Sequence, residues 1–381
     1  MGAGPLNGLR VIELVGLAPA PFACTMLADL GADVVRVDRA KPAADVLAVP
    51  GDPLTRSRRW IGVDTKSAEG TELVLKLCES ADVLVEGFRP GVAERMGLGP
   101  EQVHARNRRV VYGRITGWGQ DGPLAPRAGH DINYIGLAGA LEPIGRSGEP
   151  PVPPLNLLGD FAGGGLMLAM GILAALHERT ASGRGQVVDA SMVDGAALLA
   201  TQMFGMRSLG LWSNPRGENM LDGGAPFYDT YQASDGKYVA VGAIEERFWA
   251  ELIRVLELDP EELPNRYDRT QWPRLRATIG EVIATRTRDE WAGLAGDTDA
   301  CLTPVLSPEE APEHPHNVAR RTFVEVAGMP QPAPAPKFDR TPTERPEAPH
   351  DARSDTTEVL AELGLSEEDL EKLRAAGTIS G

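Results

Sequence analysis

Short apolar runs alternate with helix-period segments through the first 115 residues, and this order restricts the fold more than any other feature. Residues 9–14 (LRVIEL) form a strand-length apolar run, followed by a helical pattern from about Pro21 to Leu30. Residues 32–37 (ADVVRV) read as a second buried strand and 68–78 as a helix, with further strands at 83–85 and 110–115. Such strand–helix–strand order predicts a mainly parallel, doubly wound α/β sheet. A dinucleotide site would require G-x-G-x-x-G after the first strand. The sequence there is Gly16-Leu17-Ala18-Pro19-Ala20-Pro21, whose prolines offer no amides to a pyrophosphate. The expected large domain is therefore Rossmann-like without the nucleotide fingerprint.

Residues 161–178 and 192–211 read as long helices. After Gly223 the period changes. Residues 231–241 (YQASDGKYVAV) alternate around Asp235-Gly236, a β-hairpin signal, and helical patterns follow to about Gly296. Pro330, Pro332, Pro334, Pro336, Pro342, Pro346 and Pro349 predict an extended connector. A closing helix is expected from Ser366, with a capping-box Asp369, to Gly377. The organisation expected is a large domain over 1–200, a linker helix region over 201–224 and a smaller α+β domain over 225–325. A return linker with a C-terminal helix packing on the large domain then occupies 326–381.

A chain of 381 residues exceeds one ordinary core, which agrees with two domains. With 38 Lys and Arg against 54 Asp and Glu, the formal net charge of −16 repels phosphate backbones and argues against nucleic-acid binding. Cys24, Cys78 and Cys301 are too far apart for a zinc or disulfide pattern, and the first two sit in apolar helical contexts as core fillers. No metal site is expected. Residues 1–8 lack a signal-peptide pattern, residues 378–381 are not a peroxisomal address, and the apolar stretch 161–176 falls short of the roughly 20 residues of a membrane span. A cytoplasmic protein without membrane attachment is the expectation.

Two segments carry chemistry. Residues 129–134 (GHDINY) gather a histidine, a carboxylate, an amide and a phenol, and His130 alone among six histidines lies in such a cluster. An unperturbed imidazole titrates near pH ~6.5, so a histidine can serve as acid or base near neutrality. The alternative role for His130 is a loop hydrogen bond. Residues 154–160 (PLNLLGD) place Asp160 at the expected N-cap of the helix from Phe161. Capping alone is a sufficient structural role for it. Gly163-Gly164-Gly165 in the first turn costs roughly 1 kcal/mol per glycine. Their presence indicates a ligand or a neighbouring backbone at close range, and a helix N-terminus favours negative charge developing beside it.

Together these segments resemble the signatures of α-methylacyl-CoA racemases, a branch of the family III CoA-transferase superfamily. Residues 86–92 (EGFRPGV) with 95–99 (RMGLG) are similar to the superfamily's CoA-contacting loop. Residues 183–189 (GRGQVVD) and 222–231 (DGGAPFYDTY) fit the same family, so the likeness spans nearly the whole chain. The resemblance implies an interlocked homodimer, with the active site between the large domain of one subunit and the small domain of the other. By matched motif it implies His130 and Asp160 as the catalytic pair, Glu245 as partner of the histidine and Asn156 as a group that positions the thioester. It also implies a CoA site lined by Arg39, Val63, Asp64, Lys66, Gly87, Phe88, Arg89, Arg95, Gly129, Asp131, Ile132, Asn133 and Tyr134. Arg36, Arg39, Arg56, Arg58 and Arg59 cluster near strand ends as a candidate positive mouth, although most would be ordinary solvated arginines.

The implied reaction is epimerisation of (2R)- and (2S)-2-methylacyl-CoA thioesters by 1,1-proton transfer through an enolate. No cofactor is required, CoA being part of the substrate. One alternative is a CoA transferase on the same fold, with Asp160 as nucleophile forming an acyl anhydride. The second base His130 weighs against it, as does the lack of a transferase-like glycine-rich loop after Ala240. Another alternative is a silent acyl-CoA binder, which would need none of His130, Asp160 and Glu245.

Overall fold

The computed structural model describes residues 3–41, 51–213, 215–351 and 353–381. Met1 and Gly2, part of the N-terminal segment assessed above, lie outside them. Two compact units emerge: Met1–Ala138 with Leu155–Leu199 and Val318–Gly381, and Gly139–Pro154 with Ala200–Asn317. Gly139–Pro154 thus leaves the expected continuous 1–200 block for the second unit. Arginines supply the reason. Arg216 donates to the carbonyls of Glu142 (2.5 Å) and Glu149 (2.6 Å), and Arg146 pairs with Asp229 at 2.6 Å.

In chain order the first unit opens with β1 (Arg10–Leu14), α1 (Pro19–Asp29), β2 (Asp33–Asp38), β3 (Arg59–Val63), α2 (Ala68–Glu79) and β4 (Val83–Glu86). It continues with α3 (Val92–Arg95), α4 (Pro100–Arg106), β5 (Val111–Thr116) and α5 (Asp131–Leu137). A π-helix (Leu157–Leu166), α6 (Met167–Ser182), β6 (Val187–Ser191) and α7 (Met192–Leu199) follow. The sheet runs Ile379–Ser380, β3, β2, β1, β4, β5, β6, and all neighbours are parallel except the C-terminal strand, which is antiparallel to β3. Val11, Ile12, Val34, Val35, Val83 and Leu84 are buried almost completely, as strands covered on both faces require. The order reverses between β1 and β4. In open α/β sheets that reversal opens a crevice beyond the carboxyl ends of the strands.

Local rules explain the helices. Pro19 and Pro21 occupy the first turn of α1, where a missing N–H costs no hydrogen bond, so the residues that exclude a dinucleotide turn also start the helix. Ser67 caps α2 by accepting from the Gly70 amide at 3.0 Å. Strands β3 and β6 escape sequence reading because RWIGV and VVDAS mix polar and apolar residues without a buried run.

Expectation fails at two further places. The helix predicted from Phe161 begins at Leu157 and is continuous to Ser182, 26 residues long and apolar enough by length and composition to cross a bilayer. Within the fold its Gly163, Gly164, Gly165, Leu168, Ala169 and Ile172 are buried. Pro330 and Pro332 lie in a two-stranded hairpin, Phe323–Val326 with Met329–Pro332, rather than in a structureless connector. A ribbon of two strands leaves one side of each strand unpaired, where a residue without an N–H is harmless. The closing helix Glu367–Ala375 carries the expected Ser366–Asp369 capping box.

The second unit holds a three-stranded antiparallel sheet, Tyr228–Gln232, Tyr238–Gly242 and Leu302–Pro304, whose hairpin turns at Gly236 with φ +79°. Phe227, Trp249, Trp272 and Trp291 fill its core. The predicted helix over 192–211 is broken at Ala200 into Met192–Leu199 and Thr201–Ser208.

Candidate active site

The segment between β5 and α5 is shaped by aromatic packing. Gly117 follows β5 directly, and a β-carbon there would lie 2.0 Å from the Tyr134 ring. Trp118 meets that ring edge-on at 4.7 Å, and the Tyr134 hydroxyl donates to the Gly129 carbonyl. This folds the loop back so that His130 immediately precedes α5. The Asn133 side-chain oxygen accepts the His130 amide at 3.0 Å, while the His130 side chain stays exposed.

Asp131 points the other way. It is 6% exposed, and its Oδ2 accepts the amides of Gly159 (2.6 Å) and Asp160 (2.7 Å) in the first turn of the π-helix. Gly159 carries no side chain where a β-carbon would come within 2.5 Å of that oxygen. Asp160 therefore sits inside the helix rather than capping it, and Asn156 holds the N-cap position. The Phe161 amide reaches the Asn156 carbonyl at 3.3 Å, the five-residue step of a π-helix, a form that recurs at functional sites. The Asn156 side-chain amide donates to Asp160 Oδ2 at 3.1 Å.

Electrostatics follow from this placement. Burial pushes the Asp160 carboxyl above the usual carboxylate range, and the Asn156 hydrogen bond opposes the rise. The Asp131 charge adds to it and His130 counters it. Burial likewise pushes the Tyr134 hydroxyl up to about 12, with Asp160 adding to the shift and Arg89 opposing it. His130, Asp131, Tyr134, Asn156, Asp160 and Arg89 thus form one electrostatic neighbourhood.

The glycine run has a packing cause. A β-carbon at Gly163 would lie 2.8 Å from the Ala196 nitrogen, and one at Gly165 2.7 Å from the Pro19 oxygen. Neighbouring backbone fills the space that the sequence left open to backbone or ligand. Phe22 of α1 packs on Phe161 at 4.7 Å and supports the same turn.

Residues 6–353 match CoA-transferase family III. The chain belongs to this family. It is 48% identical over 373 residues to the α-methylacyl-CoA racemase of Mus musculus, covering 97% of this chain and 96% of the relative. The Homo sapiens α-methylacyl-CoA racemase is 47% identical over 380 residues, with the same coverage. A crystal structure of a CAIB/BAIF family protein from Brucella suis matches with a TM-score of 0.80 at 26% identity. That match covers 95% of this chain and all of the other. The α/β architecture with its large parallel sheet is thus the family III fold.

Of the thirteen CoA residues implied by the family III resemblance, six fall just beyond the carboxyl ends of parallel strands. Arg39 follows β2, Asp64 and Lys66 follow β3, and Gly87, Phe88 and Arg89 follow β4, with Arg95 closing α3. Arg39, Lys66, Arg89 and Arg95 are exposed. The β4 loop is braced from below, since Glu86 accepts the Phe88 amide (2.6 Å) and the Arg114 guanidinium (2.7 Å). Gly129 is half-buried, and Ile132 and Asn133 are exposed. Val63 is fully buried beside Ile379 and offers no surface to a ligand. Asp131 is spent on backbone amides. Glu245 belongs to the second unit, at the N-cap of the helix Glu246–Val255.

The proposed positive mouth does not form. Arg36 and Arg58 are buried and share Glu13 at 2.7 and 2.8 Å, Arg56 pairs with Asp29 at 2.5 Å, and Arg59 binds Asp33 at 2.6 Å. Carboxylates take all four cations, Glu13 and Asp29 within the fold and Asp33 at its partly exposed edge, so none of the four is free for phosphates. Sequence reading also missed Gly117 and Trp118. Their signal was Gly117-Trp118-Gly119 directly after a strand, where glycine marks close backbone approach.

Proposed function

We propose that this protein epimerises 2-methylacyl-CoA thioesters at C2, with His130 and Asp160 exchanging protons on opposite faces of the α-carbon. The near-half identity to two racemases supports the reaction. The observation that carries the residue assignment is the Asp131 carboxylate, which ties the segment bearing His130 to the turn bearing Asp160. One group removes the α-proton while the other, protonated, delivers one to the opposite face. A carboxyl raised by burial suits the delivering role. Hydrogen bonds to the thioester oxygen stabilise the enolate, with Asn156 placed to contribute. Arg39, Lys66, Arg89 and Arg95 supply the cations for the CoA phosphates. Glu245 is carried by the resemblance as the histidine's partner.

The chain acts as a homodimer in this reading. Exposed Leu137 (61%), Leu157 (54%) and Met170 (56%) on helices of the first unit support it. A cytoplasmic setting and a reaction without added cofactor complete the proposal.

The test is solvent deuterium incorporation at C2 of a 2-methylacyl-CoA. Wild type should exchange without any acyl acceptor, and His130→Ala and Asp160→Ala should lose exchange by at least the roughly 10²–10⁴-fold of general acid/base catalysis. Near-normal exchange in either variant removes the assignment. CoA passing to a free acid, without C2 exchange, replaces it with acyl transfer through Asp160.

A further inference from the structure

Asp131 differs in kind from its neighbours in the 129–134 segment. His130, Ile132 and Asn133 are exposed, whereas Asp131 is 6% exposed and turned into the fold. One oxygen takes two successive amides, Gly159 and Asp160, at 2.6 and 2.7 Å. The other, Oδ1, is buried without a hydrogen-bond partner among the described residues. Bridging alone does not require a charge, because an asparagine oxygen would accept the same amides. A full charge at this point has a second effect.

We propose that Asp131 is the positioning residue of the proton-transfer pair: its carboxylate clamps the first turn of the π-helix to the start of α5 and so sets the spacing between His130 and Asp160. The role rests on the reading of those two residues as that pair. The clamp is short in both directions. Asp131 is bonded covalently to His130 and its side chain accepts the backbone amide of Asp160 itself, so one short, buried side chain is all that links the two backbones. Its charge acts on the same carboxyl, disfavouring ionisation of Asp160. The other groups acting there are His130 of the same segment and Asn156 at the helix entry, while Tyr134 of that segment is itself raised by Asp160. Arg89, from the β4 loop, acts on Tyr134. Asp131 makes no contact with CoA in this scheme.

Two variants of the full chain separate clamp from charge. Asp131→Ala removes both, and kcat for C2 exchange should fall on the order of 10²-fold, the cost of a displacement of about 1 Å, with KM for acyl-CoA little changed. Asp131→Asn keeps an acceptor for the two amides and should retain much of kcat. Its pH–rate profile should shift on the acid side to lower pH, because Asp160 then ionises more readily; the limb belongs to the coupled pair. Amide hydrogen exchange at Gly159 and Asp160 should quicken in Asp131→Ala and stay slow in Asp131→Asn. A raised KM with intact kcat would make Asp131 a CoA contact and overturn the proposal, as would an unmoved acid limb in Asp131→Asn. If Asp131→Ala does not fold, the acid limb in Asp131→Asn decides. Absence of C2 exchange in wild type sinks the functional reading instead, and amide exchange still tests the clamp.

Discussion

Gly195 of α7 lies so close to the π-helix that a β-carbon on it would stand 1.8 Å from the Gly163 carbonyl oxygen. Ordinary contact begins near 3.4 Å, so Gly195→Ala must open this packing by about 3.4 − 1.8 = 1.6 Å. Both sides are backbone, and no side chain can rotate away. Overpacking of this kind costs about 1–3 kcal/mol, and a rigid carbonyl places this site at the upper end. At about 2–4 °C per kcal/mol, the melting midpoint should drop by about 6–12 °C. Function should suffer as well, because Gly163 is three residues from Asp160 on the same helix. A shift on the order of 1 Å at the reacting groups costs about 10²-fold in rate.

Gly205→Ala is the control. It lies in the exposed helix Thr201–Ser208 with nothing within 4 Å of its β-carbon position, and it should be neutral or stabilising by up to about 1 kcal/mol. Thermal melts followed by circular dichroism, with C2 exchange on the same samples, read both effects. A Gly195→Ala protein with the wild-type midpoint and rate would refute the contention that α7 holds the Asp160 turn in place.

Glu13→Gln leaves Arg36 and Arg58 buried without their shared counter-charge and should cost roughly 3–5 kcal/mol in urea unfolding; a loss below about 1 kcal/mol would mean the network is not buried as described. Asp160→Asn should abolish C2 exchange yet raise the melting midpoint at neutral pH. A carboxyl whose folded pKa is raised contributes stability that is full below its unfolded pKa and lost as pH rises through the folded one. The gain should therefore vanish on acidification below the usual carboxylate range, and a variant less stable than wild type at neutral pH contradicts it. For the cysteines, an aromatic disulfide reagent should label one thiol per native chain, Cys301, and three after unfolding. Burial pushes the Cys24 thiol up and that of Cys78 to about 12, so rapid labelling of either would show that its helix is not packed.

What could be read from sequence divides along physical lines. Strands β1, β2, β4 and β5 are buried on both faces, so their apolar runs announce themselves. Strand β3 and the C-terminal Ile379–Ser380 owe their existence to partners 316 residues apart, Val63 and Ile379, and no local pattern encodes that pairing. His130 and Asp160 were legible as chemistry-bearing residues, but their connection was not. It runs through Asp131, whose direction is set by tertiary packing of Tyr134 and Trp118 rather than by its place in the segment. The arginines misled for the converse reason. Arg36, Arg56, Arg58 and Arg59 look free in sequence because Glu13, Asp29 and Asp33 meet them only in the fold.

The prolines after β1 show how one turn redirects a whole site. In a dinucleotide fold that turn presents amides to a pyrophosphate at the helix N-terminus. Here Pro19 and Pro21 withdraw two donors, the Pro21 carbonyl accepts Thr25 Oγ1 at 2.8 Å and the Arg58 guanidinium, and Phe22 packs on Phe161. The start of α1 thus serves as a support for the turn that carries Asp160. Phosphates in the proposed substrate must then find their charge elsewhere, and the exposed cations lie on separate loops after β2, β3 and β4. In the proposed reaction, binding falls to long side chains on loops, while proton transfer falls to groups fixed by backbone contacts, glycine packing and the Asp131 carboxylate. That division suits a reaction in which one scaffold must hold a CoA group loosely enough to release it and two proton-transfer groups rigidly enough to serve both faces of one carbon.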